Sequence, residues 1–217
     1  MKRLVFAGLL IVLGLLGGAA AYVSQSKVSP EAIRSSVTRS EDLLKTAWQL
    51  PAASAIGRAI RWQTNGSVCG AASLANVLRS LGEEADTEGE ILDGVSSCWF
   101  HICPVGLTLD QVGEIADART SRKVTVLRDL TPEGFREILR DTNNPGRRYV
   151  INFSREPIFG AGLGHFSPIG GYLEEKDLVF VLDVNRDFQP WLIERERLFA
   201  AMDTLDGDRK RGLLAIE

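Results

Sequence analysis

The sequence contains few of the residues that most often carry chemistry, with only three cysteines and two histidines among 217 residues. It also lacks a basic surplus, because 25 Lys and Arg are set against 28 Asp and Glu and the net charge is −3. Without that surplus the chain is poorly suited to neutralise phosphates, so nucleic acid is not an expected partner. The overall composition, 45% hydrophobic and 24% charged, excludes a disordered tail, a fibrous repeat and a small disulfide scaffold. The length suits one globular domain with a substantial core.

Charge is also absent from residues 4–23, a run of Leu, Val, Ala and Gly that follows two basic residues at the N-terminus. The basic start, the apolar run and the small residues 19–21 predict a secretory signal peptide over 1–21, cleaved before Tyr22. The alternative is an uncleaved anchor, since the run is just long enough to span a bilayer, and only then would a membrane be a partner. Both interpretations predict export, to a periplasm in which the protein is soluble or tethered.

Helix signals come first along the remaining chain and strand signals concentrate in its second half, without the alternation of a βαβ protein. This order predicts an α+β domain with an antiparallel sheet. A capping Ser29 followed by Pro30 starts a weakly amphipathic leader. The other predicted helices are 68–81, 108–118, 131–140 and 194–202, and the predicted strands are 123–127, 148–153, 165–173, 178–184 and 212–216.

Cys69 stands at the start of the amphipathic helix 68–81 and is followed by the small residues Gly70, Ala71 and Ala72. A thiol at a helix N-terminus meets unpaired backbone N–H groups and the positive end of the helix dipole, which favour the thiolate. The thiolate is the nucleophilic form, so this is a candidate catalytic cysteine. The alternative is a small buried hydrophobic side chain, the usual role of a free cysteine.

His165 begins one predicted strand, and Asp183 ends the next, 18 residues later. In an antiparallel hairpin the start of the first strand lies beside the end of the second, so the two side chains are expected to lie close together. A carboxylate beside an imidazole fixes its tautomer and orientation. Taken singly, each residue is better explained as a satisfied core histidine or a polar strand end.

The order Cys, His, Asp fits a papain-like thiol acyltransferase or peptidase. Gln63 lies six residues before Cys69, where a side-chain amide and the Cys69 backbone N–H are placed to hold an oxyanion. A plain loop glutamine is the alternative.

Two stretches resemble the catalytic domain of phytochelatin synthase, in the short bacterial form of that family. They are residues 63–81 and the string His-Phe-Ser-Pro-Ile-Gly-Gly-Tyr at 165–172, which continues to Leu-Asp-Val-Asn-Arg at 182–186. The resemblance implies a papain-like cysteine protease fold, with a helical N-terminal part and an antiparallel sheet carrying the histidine and aspartate. It divides the chain into a signal or anchor at 1–21, a leader at 22–49 and a catalytic domain at 50–217.

The resemblance also implies roles: Cys69 as nucleophile, His165 as base and then acid, Asp183 as orienting group and Gln63 at the oxyanion position. By the same match Arg186 would hold a substrate carboxylate, unless it is a solvated surface arginine.

Members of this family act on glutathione, which implies glutathione or a related γ-glutamyl thiol peptide as the partner. Cys69 would attack the Cys–Gly bond, release glycine and form a γ-glutamylcysteinyl thioester. Water would then give γ-glutamylcysteine, and a second glutathione would give a phytochelatin. No organic cofactor is expected, and activation by Cd, Zn or Cu ions would act through metal thiolates of the substrate. A homodimer is left open.

Cys98, His101 and Cys103 form the remaining cluster. They are weak candidates for a thiophilic metal site, because no fourth ligand is evident. Two other interpretations stay open, a small-loop disulfide and two free cysteines. Two competing functions remain. One is a papain-like leader-processing peptidase, and the other, which depends on this cluster, is a non-enzymatic periplasmic metal-binding protein.

Overall fold

A computed structural model describes residues 27–217 of the chain. The predicted signal peptide or anchor, and the first residues of the predicted leader, lie outside the described residues. Between residues 27 and 217 no helix is long and apolar enough to cross a membrane.

Three helices of the described range begin at capping residues that the sequence signals identify, namely Ser29, Thr108 and Thr131. Ser29 Oγ accepts a hydrogen bond from the Ala32 N–H, and Thr108 forms a reciprocal capping box with Gln111. A second capping box, Thr87 with Glu90, starts a short helix that the sequence analysis missed. The helices are α1 Pro30–Ser35, α2 Glu41–Ala47, α3 Pro51–Ile56, α4 Cys69–Ser80, α5 Glu88–Leu92, α6 Leu109–Asp117, α7 Pro132–Asp141, α8 Glu156–Phe159 and α9 Arg195–Met202.

The strands of the described range are β1 Val124–Leu127, β2 Arg148–Ser154, β3 Gly164–Leu173, β4 Leu178–Val181, β5 Trp191–Glu194, β6 Leu205–Asp206, β7 Arg209–Lys210 and β8 Leu213–Ile216. They form a six-stranded antiparallel sheet in the order β1-β8-β2-β3-β4-β5 and a separate hairpin, β6-β7. The predicted α+β class with an antiparallel sheet is confirmed.

The predicted strand 178–184 is three residues too long, because the register of β3 against β4 shifts between Ile169 and Gly171. The bulge requires a residue without a side chain, because a Cβ on Gly170 would lie 2.7 Å from a Phe180 ring carbon. Past the shift, the Leu182 N–H bonds to the Pro168 carbonyl, and the chain leaves the ladder with Asp183 at its exit.

Alternation along the strands divides the core between the two faces of the sheet. On β2, Val150 joins the cluster packed against α4 and α6, whereas Ile151 and Phe153 join the cluster packed against α7 and α9. The predicted leader packs on the same body, since Thr38 exchanges backbone hydrogen bonds of 2.8 and 3.0 Å with Leu192 of β5. Helix α4 is therefore enclosed, and its first residue is held in a fixed position.

Asn76 of α4 fixes the segment that leads into the candidate site. Its Oδ1 accepts from the Arg61 N–H at 2.9 Å, and its Nδ2 donates to the Arg61 carbonyl at 2.8 Å. Because Asn76 is buried, these bonds tie the backbone two residues before Gln63 to the helix that carries Cys69.

We expect Asn76→Ala to lower the free energy of unfolding by about 2 kcal/mol, since it leaves the Arg61 N–H and carbonyl without partners. Urea denaturation of the full chain measures this, with Gln49→Ala at an exposed position as the control. Equal stability of the two variants would show that Asn76 does not anchor this segment.

Candidate active site

Cys69 is the first residue of α4 and a buried free cysteine. The next residue, Gly70, has no side chain and so lets Val112 pack closely against the start of α4. A Cβ on Gly70 would lie 2.8 Å from Val112 Cγ2. The thiol therefore lies at the N-terminus of a twelve-residue helix, where the dipole and the unpaired N–H groups favour a negative charge.

His165 and Asp183 lie together, as the hairpin spacing predicts. His165 Nε2 is 3.0 Å from Asp183 Oδ1, and both side chains are buried. The bond to Asp183 occupies Nε2, so Nδ1 is the ring nitrogen left to interact with Cys69. The structure thus brings Cys69 and His165 to one cavity and places Asp183 behind the imidazole.

The Asp183 carboxylate has no exposed surface and is satisfied by three further donors. Arg155 Nη2 lies 2.9 Å from both of its oxygens, Trp191 Nε1 donates at 3.2 Å, and the Asn185 N–H donates at 2.9 Å. Charge-assisted bonds of this kind compensate the cost of burying a carboxylate.

Arg155 is a site residue that the sequence analysis missed. It follows β2 directly, and the pairing of Ser154 with Gly164 places it beside His165. Its guanidinium also lies over the Phe188 ring, 3.3 Å from the centroid. The register of β2 against β3 would have revealed it, but the sequence alone does not give that register.

The charges around Cys69 favour a thiolate–imidazolium pair. Burial raises the pKa of Asp183, but Arg155 and His165 outweigh it and lower that pKa to about 2. Burial raises the pKa of Cys69, but interactions with His165, the Phe166 backbone and Arg155 outweigh burial. The pKa of Cys69 is therefore lowered overall. Burial and Arg155 lower the pKa of His165, but Asp183 and Cys69 raise it overall.

A cavity of about 560 Å³ opens onto Cys69 and His165. Gln63 lines this cavity, and its backbone N–H donates to the Val184 carbonyl at 2.9 Å, next to Asp183. Its Oε1 is buried without a hydrogen-bond partner among residues 27–217. The structure therefore brings Gln63 to the cavity that Cys69 faces.

Arg186 is exposed and is not among the residues that line the cavity, so its role in substrate binding stays a prediction. The arginines that do line the cavity are Arg155 and Arg211. Arg211 pairs with Asp206, another cavity residue, at 3.1 Å, and its Nε makes no hydrogen bond within the described part of the chain. No local motif around Arg211 or Asp206 marked them in the sequence.

Cys98 and Cys103 are joined by a disulfide. Of the three interpretations, this excludes two free cysteines, and it removes both thiolates from the weak metal-site candidate of Cys98, His101 and Cys103. Only His101 remains as a ligand there, so the metal interpretation is wrong for this oxidised form. No group of three or more His, Cys, Asp or Glu placed to hold a metal occurs within residues 27–217.

A family model described as phytochelatin synthase matches residues 23–213. The chain belongs to the phytochelatin synthase family. Glutathione gamma-glutamylcysteinyltransferase 2 of Arabidopsis thaliana is 29% identical over 168 residues, which cover 71% of this chain and 37% of that protein. Glutathione gamma-glutamylcysteinyltransferase 1 of Triticum aestivum is 30% identical over 155 residues, 66% of this chain and 31% of that protein. The chain thus spans about a third of the length of these curated relatives.

Solved structures show the fold of this phytochelatin synthase family member. A crystal structure assigned as a C39-like peptidase from Bacillus anthracis superposes with a TM-score of 0.57 at 13% sequence identity. The match covers 75% of this chain and 95% of the peptidase. The papain-like fold implied by the sequence resemblance is confirmed.

We expect Cys98→Ala/Cys103→Ala to lower the free energy of unfolding by about 2 kcal/mol. The loop closed by the disulfide is short, with a sequence separation of 5, so the entropy that it removes from the unfolded chain is modest. Urea denaturation with and without a thiol reductant measures the effect, and the double variant should be indifferent to the reductant. Equal stability of the variant and the oxidised wild type would contradict the prediction.

We expect iodoacetamide to alkylate Cys69 rapidly well below the pH range of an ordinary thiol, because its pKa is lowered. Reactivity should fall only when acid protonates the thiolate. In Asp183→Asn the imidazolium loses its counter-charge, the pKa of His165 drops, and the onset of alkylation should move to higher pH. Mass spectrometry of the Cys69 peptide across the pH range gives both profiles.

The matched control for this profile is Asp177→Asn, which removes a carboxylate that pairs with Arg195 and does not line the cavity. An Asp183→Asn profile that coincides with the wild type and with this control would disprove the coupling of Asp183 to Cys69 through His165.

Proposed function

We propose that the chain is a γ-glutamylcysteinyl transferase or hydrolase that acts on glutathione through Cys69. The observation that carries the proposal is that Cys69 and His165 line the same cavity and that the buried Asp183 is bonded to His165. Membership of the phytochelatin synthase family supports the substrate class, since the curated relatives are named glutathione gamma-glutamylcysteinyltransferases.

In the proposed acylation, the Cys69 thiolate attacks the carbonyl carbon of the Cys–Gly peptide bond. The Gln63 side-chain amide and the Cys69 backbone N–H would donate to the oxyanion that forms. The His165 imidazolium gives its proton to the glycine nitrogen as the C–N bond breaks. Glycine leaves, and a γ-glutamylcysteinyl thioester remains on Cys69.

In the proposed deacylation, neutral His165 takes a proton from the attacking nucleophile and returns it to the Cys69 sulfur. Water as nucleophile yields γ-glutamylcysteine, whereas the α-amino group of a second glutathione yields an elongated peptide. Asp183 holds the imidazole in one orientation through both steps, and Arg155 keeps that carboxylate ionised.

The charges of the cavity complement the amino-acid end of a γ-glutamyl peptide. The guanidinium of Arg211, which lines the cavity, would bind the α-carboxylate, and Asp206 beside it would accept from the α-ammonium group. We assign this end of glutathione to Arg211 and Asp206. Metal ions such as Cd, Zn or Cu enter the proposal as thiolate complexes of the substrate.

We place the protein outside the cytoplasm, in the periplasm, as the N-terminal sequence predicts. The disulfide between Cys98 and Cys103 supports this location, because such bonds persist in oxidising compartments.

The test incubates the folded full chain with reduced glutathione, with and without Cd²⁺ or Zn²⁺, and resolves the products by mass spectrometry. We expect glycine together with γ-glutamylcysteine, longer oligomers or both, and no turnover by Cys69→Ser. Absence of product from folded wild-type protein would refute glutathione as substrate and favour a peptide substrate instead.

A matched pair of variants tests which arginine binds the substrate. Arg211→Ala should raise the KM for glutathione about tenfold or more, because a charge-assisted bond to the carboxylate is lost. Arg186→Ala should leave KM near the wild-type value. The opposite result would assign the carboxylate to Arg186, as the sequence resemblance implies.

A further inference from the structure

Four of the six large hydrophobic side chains that are exposed in the described range lie within residues 99–105, and the other two are Leu163 and Leu205. Val105 is 99% exposed, Phe100 95% and Trp99 63%. We name this set the apolar rim; it consists of Trp99, Phe100, Ile102, Val105, Leu163 and Leu205. Scattered exposed hydrophobic residues need no explanation, but a clustered set marks an interaction surface.

The apolar rim borders the mouth of the candidate active site. Val105 and Leu163 line the cavity themselves, and Leu205 is next to Asp206, which also lines it. The longest rim segment carries no charge, since residues 95–109 contain no Lys, Arg, Asp or Glu in a chain that is 24% charged, whereas Leu205 lies among charged residues. The surface of residues 95–109 therefore loses little hydration when it is covered by an apolar phase.

Local hydrogen bonds and a disulfide hold residues 98–103, which we call the rim loop, in their exposed position. Trp99 and Ile102 exchange backbone hydrogen bonds of 2.8 and 2.9 Å inside the Cys98–Cys103 disulfide. Asn65 Nδ2 donates to the His101 carbonyl at 2.8 Å. The aromatic side chains are thus presented by a braced loop, and their exposure is a feature of the fold.

The N-terminal apolar run joins the domain beside this rim. Val28 lines the cavity, and a Cβ on Gly162, next to Leu163, would lie 3.0 Å from Val28 Cγ2. The uncharged run 4–23 ends five residues before Val28, and five residues of extended chain span at most about 17 Å. A bilayer that holds the run is therefore within reach of the rim.

We propose that residues 4–23 are retained in a bilayer and that the apolar rim docks on the surface of that bilayer. Trp99 would lie at the membrane–water interface, where indole rings concentrate, and Phe100 and Val105 would enter the headgroup boundary. The mouth of the cavity would then face the membrane surface. This placement is independent of the proposed glutathione chemistry and of its test.

The experiment measures contact between Trp99 and lipid. The full chain is reconstituted in phosphatidylcholine vesicles with ordinary or brominated acyl chains, because bromine quenches an indole that touches it. We expect brominated lipid to quench wild-type fluorescence and Trp99→Phe to lose most of that quenching. Trp48→Phe is the matched control, since Trp48 packs edge to face on Phe180 in the core and should not alter the quenching.

A charged substitution provides a second arm that does not endanger folding. Phe100 is almost fully exposed, so Phe100→Asp should keep the fold while it withdraws Trp99 from the lipid and reduces the quenching. Equal quenching in the wild type and Trp99→Phe would overturn the proposal. A dimer that Phe100→Asp dissociates, with Trp99 shielded from lipid, would overturn it in favour of a second copy of the chain.

The N-terminus of the mature protein gives the last check. N-terminal sequencing of the protein from the membrane fraction should recover a chain that keeps residues 4–23. A mature chain that begins at Tyr22 and is released from membranes would equally overturn the proposal.

Discussion

The buried carboxylate of Asp183 is the constraint on which the rest of the structure depends. A carboxylate without exposed surface is tolerated only when hydrogen bonds and charge replace its lost hydration. Its partners come from separate parts of the sheet: Arg155 after β2, His165 at the start of β3 and Trp191 at the start of β5. Satisfying one charge therefore ties together the end of β2 and the starts of β3 and β5, and the same contacts that stabilise the fold orient the imidazole.

The reactivity assigned to Cys69 follows from that arrangement. The negative charge of Asp183 stabilises an imidazolium, and the imidazolium stabilises a thiolate at the N-terminus of α4. Arg155 acts in two directions, because its charge lowers the pKa of both Asp183 and Cys69 while it opposes protonation of His165. The balance depends on geometry: Arg155 binds both Asp183 oxygens, whereas His165 lies between the carboxylate and the thiol.

Local patterns in the sequence predicted those features that depend on local chemistry. Capping residues located α1, α6 and α7, and the hairpin spacing brought His165 to Asp183. The features that the sequence did not predict depend on contacts between distant segments or on very short segments. Arg155 reaches the site through the register of β2 against β3, and the end of β4 depends on a bulge opposite it. Strand β5 is only four residues long. Arg211 reaches the cavity from a segment between β7 and β8, which no spacing relative to Cys69 indicates.

The loop that carries the apolar rim is also bonded to the segment that precedes the nucleophile. The Cys103 N–H donates to Ser67 Oγ at 3.0 Å, and Ser67 Oγ donates in turn to Asn65 Oδ1 at 2.7 Å. Ser67 is two residues from Cys69, so the rim loop and the start of α4 share one hydrogen-bonded network. The disulfide closes the same loop. The proposed membrane-docking loop and the segment that leads into α4 are therefore joined by the hydrogen bond between Cys103 and Ser67, two residues before the thiol.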